Sequence, residues 1–208
     1  MNRKRAPETC RPRPTLRLAR DATSASTPDP RGRLPRGLSR RAARGDLQAY
    51  GDYRLFSDIL RLVVDRFEWR CHTYCLMPNH YHLLVETPAP NLSAGMQRLN
   101  STYAQWFNVL HGFSGHVFER RFFSRLIESS YDLLELVRYI VLNPVRAGIC
   151  DEAWDWKWSS YGAMAGETRA TPFLTCDWLL AQFGHDQRRA REAFCTFIRE
   201  APPRARSH

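Results

Sequence analysis

The sequence of 208 residues lacks three features: closely paired cysteines, a long apolar run, and any aromatic residue before Tyr50. Its six cysteines form no Cys-x-x-Cys motif, which excludes a zinc-finger type of ligand set. Cys71 and Cys75 are predicted to be buried apolar residues. No stretch is long and apolar enough for a transmembrane helix or a signal peptide. The sequence therefore predicts a reduced, cytoplasmic protein with no membrane partner.

Positive charge is concentrated at the N-terminus. Residues 1–50 hold 13 Lys and Arg against four Asp and Glu, which accounts for +9 of the net charge of +10. Six of the 13 prolines lie in the same stretch. Such a composition buries too little apolar area to offset chain entropy, so residues 1–50 are predicted to be a disordered basic tail. The folded part is placed at 51–165 and a helical C-terminal extension at 166–208.

Hydrophobic periodicity predicts alternating helices and strands after the tail. An antiparallel sheet with helices packed on it, an α+β architecture, follows from this order. The predicted elements are helices over 52–67, from Asn91 or Ser93 to about 110, and from Ser129 or Ser130 to about 142; strands over 69–76, 80–86 and 116–128; and two short helices within 177–199, separated at Gly184.

His80 and His82 lie two residues apart in the second predicted strand. Residues i and i+2 of a strand point to the same face, so both imidazoles can reach one metal ion. Two histidines at this spacing are more often structural or exposed than metal-binding. The pair is therefore weak evidence when taken alone.

Tyr139 and Asn143 lie one turn apart on a flank of the predicted helix that ends near 142. A tyrosine in that position can rest its ring on the core while its hydroxyl faces a cleft. The carboxamide of Asn143 would lie beside it as a possible oxygen ligand. An ordinary tyrosine at the core boundary is the alternative.

Four stretches together resemble the REP-associated tyrosine transposases, which are single-tyrosine HUH transposases of the insertion-sequence 200/605 type. The stretch YCLMPNHYHLLVE at 74–86 resembles the family's HUH strand, and RYIVLNPVRAG at 138–148 resembles its tyrosine helix. GHVFERRF at 115–122 and WKWSSY at 156–161 match the family's intervening and following segments. All four occur in the family's order.

The resemblance implies a ferredoxin-like or RRM-like HUH fold that cleaves and rejoins single-stranded hairpin DNA in the bacterial cytoplasm, in association with the nucleoid. It assigns Tyr139 as the nucleophile of a 5′-phosphotyrosine intermediate. It also assigns Mg²⁺ or Mn²⁺ as cofactor, bound by His80, His82 and Asn143. The protein would act as a monomer or a homodimer.

Basic and aromatic residues near these motifs are candidates for DNA contacts. Arg120, Arg121, Arg125 and Arg146 could bind phosphates, although solvated positions are as common for any one of them. Phe118 and Phe122 could stack on unpaired bases, but packing in the core is favoured for both.

The N-terminus departs from the family pattern. Family members open with a sheet strand directly before the helix that begins here near Asp52, and an Arg/Pro/Ala/Ser-rich stretch stands in its place. One hypothesis is that residues 1–48 are read in a shifted frame or from a wrong start. Loss of that strand would weaken the support for the metal ligands, which predicts low or absent activity.

Three other functions compete with a transposase. A non-cleaving protein that binds hairpin DNA or RNA would need the same surface but not Tyr139. A zinc protein would need a third ligand beside the two histidines, for which His72 and His116 are the nearest candidates. A separate DNA-reading element at 177–199 is the third.

Overall fold

The computed structural model describes residues 15–20, 50–118, 122–127 and 129–200. Four strands, seven α-helices and one 3₁₀ turn lie within these ranges. In chain order they are β1 (Thr15–Arg20), α1 (Tyr50–Phe67), β2 (Arg70–Leu76), β3 (Tyr81–Thr87), α2 (Leu92–His111), β4 (Phe123–Leu126), α3 (Ser130–Val141), α4 (Asn143–Arg146), the 3₁₀ turn (Ala153–Asp155), α5 (Tyr161–Ala165), α6 (Asp177–Leu180) and α7 (Gln187–Arg199).

The strands form one antiparallel sheet in the order β2-β3-β1-β4. Strand β1 lies inside the sheet, where Thr15 is opposite Thr87 and Arg20 is opposite His82. The prediction that the first strand is missing is therefore wrong, and the sheet includes six residues of the region assigned to a tail. The rest of residues 1–49 lies outside the described residues.

Helices cover both faces of the sheet, which confirms the α+β architecture. On one face, Tyr81 of β3 contacts Phe56 of α1, with ring centroids 4.7 Å apart. Tyr103 of α2 packs against the same Phe56 at 5.3 Å. Helix α3 packs against β2 and β3 on the opposite face. Strand β3 is consequently buried along almost its whole length.

The outer edge of β2 is covered by residues 158–160 and by Thr175. Backbone amides of Leu76 and Ser160 donate to the carbonyls of Trp158 and Tyr74, at 2.9 and 3.0 Å. Further along, the Thr175 amide donates to the Cys71 carbonyl at 2.7 Å. These bonds satisfy groups that an open edge would expose. The predicted C-terminal extension is thus joined directly to the sheet.

Two local expectations need adjustment. Among the residues that the structure describes within 116–128, the predicted strand is formed at Phe123–Leu126. Asn91 is the N-cap of α2, but its side chain accepts from Trp69 Nε1 at 2.8 Å and donates to the Phe67 carbonyl at 3.0 Å, so it caps nothing. Helix α3 ends at Val141, close to the predicted end near 142, and Pro144 then occupies the first turn of α4, where its missing N–H costs no bond.

Two other expectations are confirmed. Ser129 caps α3, since its hydroxyl accepts from the Asp132 amide at 3.0 Å. Two helices, α6 and α7, flank Gly184. None of the helices in the described part of the chain is long and apolar enough to cross a membrane.

Candidate active site

His80 and His82 lie at the start of β3. His82 is 2% exposed and lies in the sheet between Cys75 of β2 and Arg20 of β1. His80 comes one residue before the strand and is half-buried. The two rings lie with centroids 4.9 Å apart and planes at 90°. His80 Nδ1 also shares a hydrogen bond of 2.7 Å with Asn79 Oδ1, the kind of contact that orients a metal-binding imidazole.

Tyr139 faces His82 from helix α3. The helix turns Leu133, Val137 and Ile140 into the core, which leaves Tyr139 half-buried on the flank of this stripe. Its ring meets the His82 ring edge-on, with centroids 5.4 Å apart and planes at 83°. The nucleophile and a metal ligand implied by the resemblance therefore come together from a helix and a strand.

Arg146 approaches Tyr139 from helix α4. Its guanidinium carbon lies 5.5 Å from the centroid of the tyrosine ring, which is cation–π distance. Arg146 is exposed, so its charge remains accessible to a phosphate beside the tyrosine hydroxyl.

Asn143 is the first residue of α4 and lies one helical turn beyond Tyr139. Its Nδ2 atom is buried and has no hydrogen-bond partner among the described residues. A buried amide without a partner is unfavourable in a closed protein interior. Rotation of the carboxamide about its last torsion would present Oδ1 at the same point, which fits a metal-ligating amide.

The donor set formed by His80, His82 and Asn143 would suit a divalent ion that takes its remaining ligands from substrate and water. Two imidazoles with ring centroids 4.9 Å apart can converge on one ion, and imidazole with amide oxygen is compatible with Mn²⁺. Within the described ranges, no group of three or more His, Cys, Asp or Glu residues could hold a metal ion. A zinc site completed by His72 or His116 therefore finds no support.

His72 instead connects the sheet to the C-terminal region. It is fully buried, its Nε2 lies 3.1 Å from Glu86 Oε2, and its ring contacts Trp178 at 4.5 Å. Burial lowers the pKa of His72 more than the contact with Glu86 raises it. The imidazole is thus held neutral by its surroundings.

Two cysteines, Cys71 and Cys75, are fully buried as expected, and burial raises the pKa of both thiols. Burial also raises the pKa of Cys176 to about 11. Thiols of this kind are inert, and the sequence-based interpretation of Cys71 and Cys75 as apolar core residues is confirmed.

The predicted DNA-contact residues are only partly described. Arg120 and Arg121 lie outside the described residues. Arg125 is exposed on β4 and makes a long ion pair of 3.9 Å with Asp132. Phe118 packs in the core near Tyr103, at 5.9 Å, as expected.

Phe123 is an exposed aromatic residue near the site that the sequence analysis did not name as a candidate for DNA contacts. Phe122 and Phe123 are adjacent, and successive residues of an extended chain point to opposite faces. Phe122 is half-buried against the core, whereas Phe123 is 49% exposed. Strand alternation alone predicts that one of the two rings faces outward, and this was the available signal.

The fold is similar to that of a solved structure described as a REP-associated tyrosine transposase bound to a REP hairpin, with a TM-score of 0.55 and 16% sequence identity. That likeness covers 85% of this chain and 93% of the other. At this identity the likeness establishes the fold alone, an antiparallel sheet with helices packed on it.

Residues 44–143 match the model of the family described as Transposase IS200 like. This region is similar to the IS200-like transposase domain, and the resemblance drawn from the four sequence stretches is confirmed. A curated Haemophilus influenzae protein, provisionally described as a REP-associated tyrosine transposase, is 24% identical over 117 residues. The match spans 51% of this chain and 66% of that protein, just under two thirds of its length.

Proposed function

We propose that the protein cleaves and rejoins single-stranded hairpin DNA, with Tyr139 as the nucleophile. The observation that supports this most directly is the contact between Tyr139 and His82, whose rings lie 5.4 Å apart beside His80. A phenol next to two imidazoles, on a transposase fold, is arranged for attack on a phosphodiester. The neighbour's hairpin supports hairpin DNA as the substrate class.

In the proposed step, the Tyr139 oxygen attacks the scissile phosphorus and gives up its proton to solvent. The bond between phosphorus and the 3′-oxygen breaks, and that oxygen takes up a proton as a free 3′-hydroxyl. The DNA 5′-phosphate remains esterified to Tyr139. Attack by a 3′-hydroxyl reverses these changes, so strands can be rejoined without ATP.

The protein groups supply orientation and charge. His80, His82 and Asn143 would hold Mg²⁺ or Mn²⁺, which when bound polarises the phosphate and offsets its developing charge. Arg146, exposed beside Tyr139, would bind the attacked phosphate. A phenol with an ordinary pKa near 10 is a weak nucleophile at neutral pH. Orientation of the phosphate against the Tyr139 oxygen must therefore supply much of the rate.

Strand β1 removes the reason for expecting an inactive protein. His82 has a paired strand on each side, with Cys75 opposite on β2 and Arg20 opposite on β1. Ligands carried by an interior strand are held more precisely than ligands on an open edge. We therefore propose that the described chain is competent for cleavage, at the bacterial chromosome in the cytoplasm.

Covalent trapping tests the proposal. The protein is incubated with Mn²⁺ and a pool of 3′-labelled single-stranded hairpins that carry randomised extensions, and the label attached to protein is measured on denaturing gels. Wild type should form an adduct, and Tyr139→Phe should form none while still binding hairpins. An adduct that persists in Tyr139→Phe would refute Tyr139 as nucleophile. Hairpin binding without any adduct would instead establish the non-cleaving binder.

A further inference from the structure

One cross-strand row passes through the candidate active site. Backbone pairing aligns Cys75 of β2, His82 of β3, Arg20 of β1 and Phe123 of β4. Residues directly opposite each other in an antiparallel sheet point to the same face. Phe123 therefore lies on the His82 side of the sheet, the side on which α3 carries Tyr139.

Phe123 lies close to the site but outside its cover. Phe123 lies two strands away from His82, so their backbones are about 10 Å apart. Helix α3 packs over β2 and β3, while Phe123 on the edge strand stays 49% exposed. The Phe123 ring thus lies at the border of the site, with about half of its surface exposed to solvent.

Positive charge flanks this ring on the same face. The next row of the sheet aligns Leu84, Leu18 and Arg125, so Arg125 lies two residues along β4 from Phe123 and on the same side. Its side chain is 62% exposed, and its ion pair with Asp132 is long at 3.9 Å. Such an exposed pair contributes little to stability, so a phosphate can take the place of Asp132 at small cost.

We propose that Phe123 stacks on an unpaired base next to the scissile phosphate, and that Arg125 binds a neighbouring phosphate of the same strand. An exposed ring beside a cation is the pattern by which proteins hold single strands without reading their sequence. The inference rests on the proposed function, because it places the strand by reference to Tyr139. It deepens that function by naming the surface that orients the single-stranded extension.

Equilibrium binding separates this proposal from the cleavage chemistry. Fluorescence anisotropy gives Kd for two probes without added metal: a DNA hairpin with a single-stranded extension, and the same hairpin without it. Phe123→Ala should raise Kd for the extended hairpin by about five- to a hundredfold and leave the other unchanged. Phe123→Tyr, which keeps the stacking face, should restore binding. Leu126→Ala is the matched control, since Leu126 is 41% exposed on the same strand but opposite Arg17, on the other face.

A second readout reports stacking directly. A 2-aminopurine placed in the extension should be quenched by wild type and by Phe123→Tyr, and remain bright with Phe123→Ala. Arg125→Gln, which leaves the ring in place, should weaken binding and lower its salt dependence without abolishing the quenching.

Several outcomes would overturn the proposal. Equal Kd values for Phe123→Ala and Leu126→Ala on the extended hairpin would do so, as would unquenched 2-aminopurine in the wild-type complex. A change of oligomeric state in Phe123→Ala, with DNA binding unaltered, would assign the ring to a protein interface instead. Failure of the covalent assay with normal extension binding would sink the cleavage proposal and leave this one standing.

Discussion

The imidazole of His82 and the phenol ring of Tyr139 meet edge-on, with centroids 5.4 Å apart and planes at 83°. One residue belongs to an interior strand and the other to the helix that packs over it, 57 positions later in the chain. Their approach depends on the docking of α3 against β2 and β3. The site is thus a consequence of tertiary packing, and its two halves can be perturbed separately.

His80→Ala and His82→Ala should both lower Mn²⁺ affinity, by at least about a hundredfold if each imidazole is a ligand. Only His82→Ala should also reduce the free energy of unfolding, by about 2 kcal/mol or more, because His82 is 2% exposed and its removal leaves a cavity. Calorimetric titration with Mn²⁺ and urea denaturation measure the two effects. Unchanged Mn²⁺ affinity in either variant would remove that histidine from the ligand set.

Arg146→Ala should weaken hairpin binding and lower the slope of log K against log salt by about one. The reason is that one phosphate contact, and the counterion it displaces, is lost. Binding measured at several salt concentrations gives the slope. Arg61→Ala serves as control, since Arg61 is an exposed cation on α1, which packs on the other face of the sheet. Equal slopes for the two variants would exclude a phosphate contact at Arg146.

His72 should make stability depend on pH. Burial lowers its pKa below the ordinary value of 6.5, so the unfolded chain binds the proton more readily than the folded protein. The stability contributed by neutral His72 is fully present above pH 6.5 and is lost as the pH falls through the lowered pKa. Glu86, which accepts from the ring, and Arg70 face the same group.

Urea denaturation at a series of pH values from 7.5 downward tests this directly. The free energy of unfolding of wild type should fall more steeply with decreasing pH than that of His72→Gln. Parallel curves for the two proteins would mean that another group carries the dependence.

Much of the site follows from local sequence rules, and the corrections come from long-range pairing. The spacing of His80 and His82, and the position of Tyr139 beside the Val137 stripe, require only strand and helix periods. Residues 15–18 also alternate polar and apolar side chains, but the stretch is short and the Arg/Pro-rich composition around it hides the pattern. The strand is stabilised by neighbours on both sides, β3 and β4, which lie more than 60 residues away in sequence.

Asn91 shows the same limit on a smaller scale. Its position before α2 predicts a capping side chain. In the fold, that side chain is hydrogen-bonded to the indole of Trp69 and the carbonyl of Phe67. Both partners lie outside α2, so the sequence of the helix does not predict them. Local rules place the residue correctly but cannot choose among competing hydrogen-bond partners.

Gly95→Ala should destabilise the protein, by about 1–3 kcal/mol, because the added Cβ would lie 2.1 Å from Cζ2 of Trp69. The indole cannot easily withdraw, since its Nε1 is hydrogen-bonded to Asn91. Gly51→Ala is the matched control in α1, where nothing lies within 4 Å of the new Cβ. That change should stabilise the protein by about 0.5–1 kcal/mol through helix propensity. Equal urea midpoints for the two variants would contradict the close approach of Trp69.

Phe194→Ala should destabilise the whole sheet domain, although Phe194 lies in α7. The ring is fully buried and packs against Tyr161 at 5.8 Å and Phe183 at 5.6 Å. Because the segment between Trp158 and Thr175 is bonded to the edge of β2, loosening α7 also loosens the sheet. We expect the free energy of unfolding to fall by about 3–5 kcal/mol, against less than about 0.5 kcal/mol for the exposed Thr196→Ala.

Hydrogen exchange gives a second test, in which the protection of α7 and of β3 should fall together in Phe194→Ala. Loss confined to α7 would mean that the C-terminal helices form a separate unit.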